Sequence, residues 1–205
     1  ICLAYEETQD VKAVTDYIKT KAIYKDVPVI VMGVSMGGAV AVRAFAENSD
    51  IDALVSLSAF SSVEDFMRHN RRMLLPGVTE EHLDTVIGNV VRKTFGVNAQ
   101  EASPVAALKG SNRRPVMFMH SRQDTQVPYS CYGRLVDEAG KYTADIDTMT
   151  VEGDRHFICD DFVHPAADKE YMRRLMRFVK KLTARHPYVK TEEGVELMEI
   201  VARFA

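Results

Sequence analysis

The sequence predicts an α/β fold, in which a mostly parallel sheet is flanked by helices on both faces. Apolar runs suited to buried strands alternate along the chain with segments of helical periodicity. The length of 205 residues fits one domain. A composition of 46% hydrophobic and 27% charged residues is that of an ordinary globular protein, which excludes disordered chains and small disulfide scaffolds.

Four segments have the pattern of strands. The first contains the continuous apolar run V-P-V-I-V-M-G, which is expected of a strand that is covered on both faces. Turn residues such as N-S-D separate the runs from the helical segments. The predicted strands are Val27–Gly33, Ile51–Ser58, Pro115–His120 and Asp147–Val151.

Helices are predicted where apolar residues recur at intervals of three and four. Val11, Val14 and Ile18 show this spacing in the first helix. The predicted helices are Thr8–Lys21, Met36–Glu47, Thr79–Lys93, Pro128–Ala139 and Pro165–Ala184. A last helix is predicted near the C-terminus from the spacing of Leu197, Val201 and Phe204.

Residues 61–101 form a long connection between the second and third strands, and we predict a helical lid insertion there. Connections of this length are usually functional lids or binding insertions. Its apolar residues either wall an acyl pocket or bury the insertion against the body: Phe66, Met67, Met73, Leu74 and Leu75. Its cationic residues either attract an anionic substrate group or form a solvated charged face: Arg68, His69, Arg71 and Arg72.

The net charge of −3 argues against a partner that is nucleic acid or an anionic membrane surface. No apolar run approaches the ~20 residues that a membrane span requires. Cys2, Cys131 and Cys159 lack metal-binding spacing, so we predict no metal site. Sparse cysteines favour a reducing, cytoplasmic compartment. A periplasmic or secreted location stays open, because the sequence begins at Ile1 and a cleaved signal would precede it.

The segment V-I-V-M-G-V-S-M-G-G-A at residues 29–39 carries the strongest motif, a strand followed by G-x-S-x-G and a helix of small residues. Ser35 is predicted at the apex of a tight strand-to-helix turn, with its hydroxyl above the sheet. Such a turn has no room for side chains on either side of the serine, which explains why residues 33 and 37 are glycines, Gly33 and Gly37. The backbone N–H of Met36 is the expected oxyanion donor. The alternative is a glycine-containing turn without chemistry.

A nucleophilic serine needs a general base, and the base needs an orienting acid. Asp124 follows the third strand and His156 follows the fourth, at the edge where catalytic groups collect in parallel sheets. Asp124 is otherwise a turn or helix-cap residue, and His156 a surface-loop histidine. Other acids stay open as the orienter: Glu64, Asp65, Asp160 and Asp161. The remaining histidines fit the role of base less well: His69, His82, His120, His164 and His186.

Together these segments resemble the α/β-hydrolase superfamily, in its serine esterase and prolyl-oligopeptidase-like branch. G-V-S-M-G-G is similar to the nucleophile elbow, H-S-R-Q-D-T-Q-V-P to the acid loop H-G-x-x-D-x-x-V-P, and G-D-R-H-F to the histidine loop. Ser103-Pro104 before the third strand also resembles this branch. The resemblance covers about residues 8–185 and holds three motifs in order. One departure is Ser121, where the family commonly has glycine.

The resemblance implies that Ser35 is the nucleophile, His156 the general base and acid, and Asp124 its orienting residue, with no cofactor. The implied reaction hydrolyses a carboxylic ester of a small molecule through an acyl-enzyme. A peptidase or thioesterase is the near alternative, and a non-catalytic binding protein or inactive fragment is an alternative of another class.

The family fold has strands before the elbow that residues 1–205 lack, as well as an early loop that supplies the second oxyanion donor. We therefore expect one domain without its first strands, and a second donor outside this chain. A missing N-terminal segment or a partner chain is expected to cover the edge of the strand at Val29–Met32, because an exposed apolar edge favours aggregation.

Overall fold

The computed structural model describes residues 3–25, 27–159, 161, 163–184, 190–196 and 199. Within them, four parallel strands form one sheet in the order β1-β2-β3-β4. The strands are β1 (Ile30–Val34), β2 (Ala53–Leu57), β3 (Val116–Ser121) and β4 (Ile146–Val151). Each predicted strand overlaps one of these, and the α/β fold class is confirmed.

Five of the helices match predicted ones: α1 (Thr8–Thr20), α2 (Met36–Glu47), α5 (Glu80–Phe95), α8 (Tyr129–Ala139) and α9 (Lys169–Thr183). The prediction began the last of them too early, because Pro165–Ala167 is a separate 3-10 turn. Asp168 then caps α9, since its carboxylate accepts a hydrogen bond of 3.0 Å from the N–H of Tyr171. Residues 192–196 are helical, whereas Leu197, Val201 and Phe204 lie outside the described residues.

Alternate residues of a strand project to opposite sides of the sheet. Helices pack against both of these faces. Leu54 of β2 and Phe118 of β3 belong to a cluster that contains residues of α2, α5 and α8. Val55 of β2 and Met119 of β3 belong to a second cluster, on the other face, with Phe178 of α9. The strands therefore carry core residues on both sides, as their continuous apolar runs predict.

The segment between β2 and β3 is helical, as expected for residues 61–101. It contains α3 (Val63–His69), α4 (Arg71–Leu74), α5 and α6 (Ala99–Ala102), and α7 (Pro104–Ala107) follows it. The helix α5 buries Leu83, Ile87 and Val91, which lie on one face at helical spacing. It ends at Gly96, whose φ of +73° is the left-handed conformation that glycine adopts readily.

The outer strand β1 is less buried than the inner strand β3. In the described part of the chain β1 pairs with β2 alone, and the side chain of Met32 is 43% exposed. Every residue of β3 is buried, by contrast. No helix among the described residues is long and apolar enough to cross a membrane.

Candidate active site

Ser35 lies between β1 and α2 in a strained backbone conformation. Its φ of 57° and ψ of −123° lie outside the regions that non-glycine residues favour. Such a conformation costs on the order of 1–3 kcal/mol and persists only where surrounding structure enforces it. Here the N–H of Ser35 donates a hydrogen bond of 2.8 Å to the carbonyl of Leu57 in β2, which fixes the turn to the sheet.

Glycine is required around Ser35 for steric reasons, although not at each position that the motif suggests. A Cβ on Gly33 would overlap the carbonyl group of Gly37, and a Cβ on Gly38 would lie 2.8 Å from the carbonyl oxygen of Leu57. A Cβ on Gly37 would meet nothing within 4 Å. Crowding therefore explains Gly33 and Gly38, whereas the steric reason given for Gly37 from sequence was wrong, because this side of α2 is exposed.

Met36 is the first residue of α2, so its N–H has no carbonyl of the same helix to bind. The positive end of the helix dipole lies at the same point. The geometry thus offers a backbone donor directly after Ser35, where the sequence predicts the oxyanion donor.

Asp124 and His156 come together although 32 residues separate them. The Nδ1 atom of His156 lies 2.8 Å from Oδ2 of Asp124, and both side chains are buried. The other oxygen, Oδ1, accepts hydrogen bonds of 2.9 Å from the N–H groups of Gln126 and Val127. With Oδ1 held by the backbone, Oδ2 is directed at the imidazole, which favours the tautomer with the proton on Nδ1.

The charge state of Asp124 follows from these contacts. Burial by itself would raise the pKa of this carboxyl, but the hydrogen bonds from His156 and from the N–H groups of Val127 and Gln126 outweigh it. The pKa of Asp124 is therefore lowered from its ordinary value. The group is a carboxylate at neutral pH and can stabilise an imidazolium at His156.

His120 is a second buried histidine beside the same carboxylate. Its Nε2 atom lies 3.0 Å from the carbonyl oxygen of Val127 and 3.6 Å from Oδ2 of Asp124. Because a carbonyl can only accept, Nε2 carries a proton and donates it. Burial lowers the pKa of His120, although the contacts with Val127 and Asp124 oppose this. His120 thus has a structural role, in which it binds the backbone of the loop that holds Asp124.

Within the described residues, no hydrogen bond joins the hydroxyl of Ser35 to His156. Contacts of this kind are often long before substrate binds. A cavity of about 450 Å³ adjoins His156, and Phe157, Cys159 and Val163 contribute apolar surface to it. The ring of Phe157 meets that of His156 edge-on at 5.3 Å. Burial raises the pKa of the Cys159 thiol, so Cys159 does not compete as a thiolate nucleophile.

Each other histidine among the described residues has a different partner. His82 contacts the hydroxyl of Thr79, and His164 contacts Asp161 at the surface. Nε2 of His69 lies 2.8 Å from the carbonyl oxygen of Thr125, so α3 contacts the loop that holds Asp124. His186 lies outside the described residues.

The alternative acids also have other partners. The side chain of Asp65 accepts from Ser61 at 2.9 Å and pairs with Arg134. Glu64 lies 3.4 Å from the hydroxyl of Ser103. Asp161 pairs with His164, and Asp160 is outside the described residues.

The five apolar residues predicted to wall a pocket have two kinds of environment. Phe66, Met67 and Leu75 pack into the core cluster of α2, α5 and α8, and Phe66 also contacts another buried ring at 5.0 Å. Met73 and Leu74 are exposed on α4. The first three thus anchor the insertion to the body, and the exposed pair is free to contact other molecules.

Sequence analysis did not identify Ser58, which follows β2 at the same edge of the sheet. It has a φ of 48°, is fully buried, and its hydroxyl has no hydrogen-bond partner among the described residues. A serine after an apolar strand gives no signal of such strain. Nor does any group of three or more potential metal ligands occur among the residues that the structure describes.

Comparison with known proteins gives both a family and a set of similar structures. Residues 3–186 match the prolyl oligopeptidase family. A search of curated proteins gave no match. Among solved structures, an esterase from Pyrococcus furiosus is 18% identical, with a TM-score of 0.63 over 86% of this chain and 62% of its own.

Two peptidases are about as similar to this chain in fold as the esterase is. The acylaminoacyl peptidase of Pyrococcus horikoshii is 16% identical, with a TM-score of 0.65 over 87% of this chain and 28% of its own. A puromycin-hydrolyzing peptidase of Mycobacterium tuberculosis is 17% identical, with a TM-score of 0.63 over 86% of this chain and 26% of its own. The chain thus spans less than two thirds of the length of each of these proteins.

Proposed function

Because the chain belongs to the prolyl oligopeptidase family, we propose that it is a serine hydrolase with Ser35, His156 and Asp124 as its catalytic triad. The buried contact between His156 and Asp124 is the single observation that carries the proposal. It joins two loops that are distant in sequence, at the sheet edge where Ser35 also lies. Both side chains are buried, so water does not compete for this contact.

The mechanism is acyl transfer to water. Ser35 Oγ attacks the carbonyl carbon of an ester while Nε2 of His156 takes the hydroxyl proton. The N–H of Met36 stabilises the oxyanion, and Asp124 stabilises the imidazolium. The bond to the alcohol breaks as His156 returns the proton to the departing oxygen. Water, activated by His156, then attacks the acyl-enzyme and releases the acid and free Ser35.

For the substrate we propose a carboxylic ester of a small molecule. Support comes from the similarity to the Pyrococcus furiosus esterase. The cavity beside His156 has apolar side chains, Phe157 and Val163, next to charged ones, Asp154 and Arg155, so it suits an ester that carries both apolar and polar groups.

The test is turnover of p-nitrophenyl esters of graded acyl length by the full protein, with Ser35→Ala as the negative variant. We expect hydrolysis that depends on acyl length and is lost in Ser35→Ala. Ser49→Ala, which removes an exposed hydroxyl after α2, is the matched control and is expected to keep the parent rate. A folded parent protein without turnover of any of these esters would contradict the ester proposal.

A peptidase is the second candidate, because the matched family and two of the similar structures are named for peptidases. The same triad cleaves an amide, and His156 then protonates the departing amine. Turnover of an aminoacyl-naphthylamide that exceeds turnover of every ester would favour the peptidase. A thioesterase would instead prefer acyl thioesters in the same assay.

We also propose that a strand from elsewhere in the protein, or from a partner chain, covers β1. The support is that β1 pairs with β2 alone among the described residues and that Met32 is exposed there. Exposed apolar edges are aggregation sites. The β1 amides that point away from β2 should exchange hydrogen slowly in the full protein. Rapid exchange, or a stable monomer of these 205 residues with a bare edge, would contradict this.

A further inference from the structure

Two loops carry the charged part of the site. The acid loop, residues 122–127, follows β3 and contains Asp124, and the histidine loop, residues 152–157, follows β4 and contains His156. Backbone bonds between the strands extend only into the start of these loops, where the N–H of Arg122 donates to the carbonyl of Val151 at 2.9 Å and that of Gln123 to the carbonyl of Gly153 at 3.2 Å. The other hydrogen bonds between the two loops involve side chains.

Ser121 is the side chain that continues this connection. It is the last residue of β3, and it is fully buried. Its hydroxyl donates to the carbonyl of Gly153 and accepts a hydrogen bond of 3.1 Å from the N–H of Arg155. One hydroxyl thus binds the histidine loop on both sides of Asp154, and the second of these bonds lies one residue before His156.

More exposed contacts surround this hydroxyl. The side-chain oxygen of Gln123 accepts from the N–H of Gly153, and the N–H of Gln123 donates to the carbonyl of Gly153 at 3.2 Å. The carboxylate of Asp154 accepts from the N–H and the hydroxyl of Thr125, at 3.0 and 2.7 Å. Ser121 is the buried member of the set, so water competes least for its bonds.

We propose that Ser121 is a positioning residue, whose hydroxyl holds the histidine loop against the acid loop and so fixes His156 against Asp124. The inference deepens the proposed function, on which it rests. A glycine at this position, which the related acid-loop motif commonly has, provides no hydroxyl for either bond. The contact between Nδ1 and Oδ2 would then depend on the exposed bonds of Gln123 and Asp154.

The test compares Ser121→Ala with Ser111→Ala in the full chain. Ser111 is an equally buried serine, whose hydroxyl donates to the carbonyl of Leu108 at 2.5 Å, and it precedes β3 at the opposite end of the strand. We expect Ser121→Ala to lower kcat by about 10- to 100-fold, as small misplacements of catalytic groups do. KM should stay within about twofold, because substrate contacts are unchanged. Ser111→Ala should leave both constants unchanged.

A second readout does not depend on turnover. The Nδ1–H proton of His156, assigned by its loss in His156→Gln, should give a low-field NMR signal in the parent. It should weaken or shift in Ser121→Ala and stay unchanged in Ser111→Ala. If the parent neither hydrolyses esters nor reacts with a serine-directed probe, the proposed function fails, and the NMR comparison still tests the role of Ser121.

The inference is overturned if folded Ser121→Ala keeps both the parent kcat and the parent His156 signal. If Ser121→Ala does not fold, Ser121→Gly replaces it, because the related acid-loop motif commonly has glycine at this position and glycine likewise lacks the hydroxyl. Ser121→Gly should then lower kcat in the same way, and an unchanged kcat and signal would overturn the inference.

Discussion

Two aspartate–histidine pairs of this protein have the same geometry at the contact atoms. In each, Nδ1 of the histidine lies 2.8 Å from Oδ2 of the aspartate. In each, the other carboxylate oxygen accepts from two backbone N–H groups. The Asp124–His156 side chains are 0% and 4% exposed, whereas the Asp161–His164 side chains are 53% and 74% exposed.

The comparison shows that a short distance alone does not identify a catalytic pair. The exposed pair joins residues three apart in one loop, and such pairs are typically worth little because water and salt screen them. The buried pair joins two loops at the sheet edge beside Ser35, where a lower dielectric strengthens the interaction. The pKa of Asp161 is lowered chiefly by its bond to His164, whereas that of Asp124 is lowered against the effect of burial.

The largest expected difference between the pairs is in turnover. His156→Gln should lower kcat on the order of 10⁶-fold, as loss of the base does in other serine hydrolases. His164→Gln should leave kcat at the parent value, because the partner of this histidine among the described residues is Asp161 at the surface. Steady-state kinetics on the best p-nitrophenyl ester measures both. Equal activities of the two variants would contradict the assignment of His156 as the base.

The orienting acid should have a smaller effect than the base. Asp124→Asn keeps the shape of the side chain but no longer favours the proton on Nδ1 of His156. We expect kcat to fall about 10⁴-fold while circular dichroism shows an intact fold. A loss of less than tenfold would mean that another acid, among them Glu64, Asp65 or Asp161, supports His156.

Stability should respond to the strain at Ser35. Ser35→Gly relieves the positive φ, whereas Ser35→Ala retains it, and both variants lack the nucleophile. We expect the free energy of unfolding of Ser35→Gly to exceed that of Ser35→Ala by about 1 kcal/mol, at the low end of the cost of such strain. Urea unfolding of the two inactive variants measures this difference. A higher stability of the alanine variant would argue against the strained turn.

The smallest expected effect is on how the stability of the fold depends on pH. The pKa of His120 is lowered in the folded state, so the fold favours neutral His120. Its contribution to stability is therefore complete above the unfolded pKa of ~6.5 and is lost as pH falls through the lowered folded pKa. Between pH 7.5 and 5.5 the parent should lose more stability than His120→Gln does. A parent-like slope in His120→Gln would contradict this.

The parts that the sequence predicts are those that follow local patterns. Apolar runs define the four strands, and Ser35, Asp124 and His156 each occupy a short motif at a strand end. Contacts between distant residues that lie outside these motifs could not be predicted. The guanidinium of Arg114 donates to the carbonyls of Phe45 and Ile51, both at 2.6 Å, and no pattern near Arg114 indicates those partners.

The role of Ser121 illustrates the same limit. From sequence it is only a departure from an expected glycine, because its partners Gly153 and Arg155 lie more than thirty residues away. Gly37 is the opposite example. Its motif predicts a crowded position, but Gly37 lies at the exposed start of α2, where a Cβ would meet nothing within 4 Å. Motifs thus predict which residues carry the chemistry, and packing decides which neighbours hold them in place.

The most direct test of the central claim is covalent labelling of Ser35. A fluorophosphonate probe reacts with a serine only when a base activates its hydroxyl. We predict that the probe labels the folded protein on the peptide that contains Ser35, as read by mass spectrometry, and that labelling disappears in Ser35→Ala and in His156→Gln. His164→Gln should be labelled like the parent. A folded protein that is not labelled, or is labelled at another serine, would contradict the account.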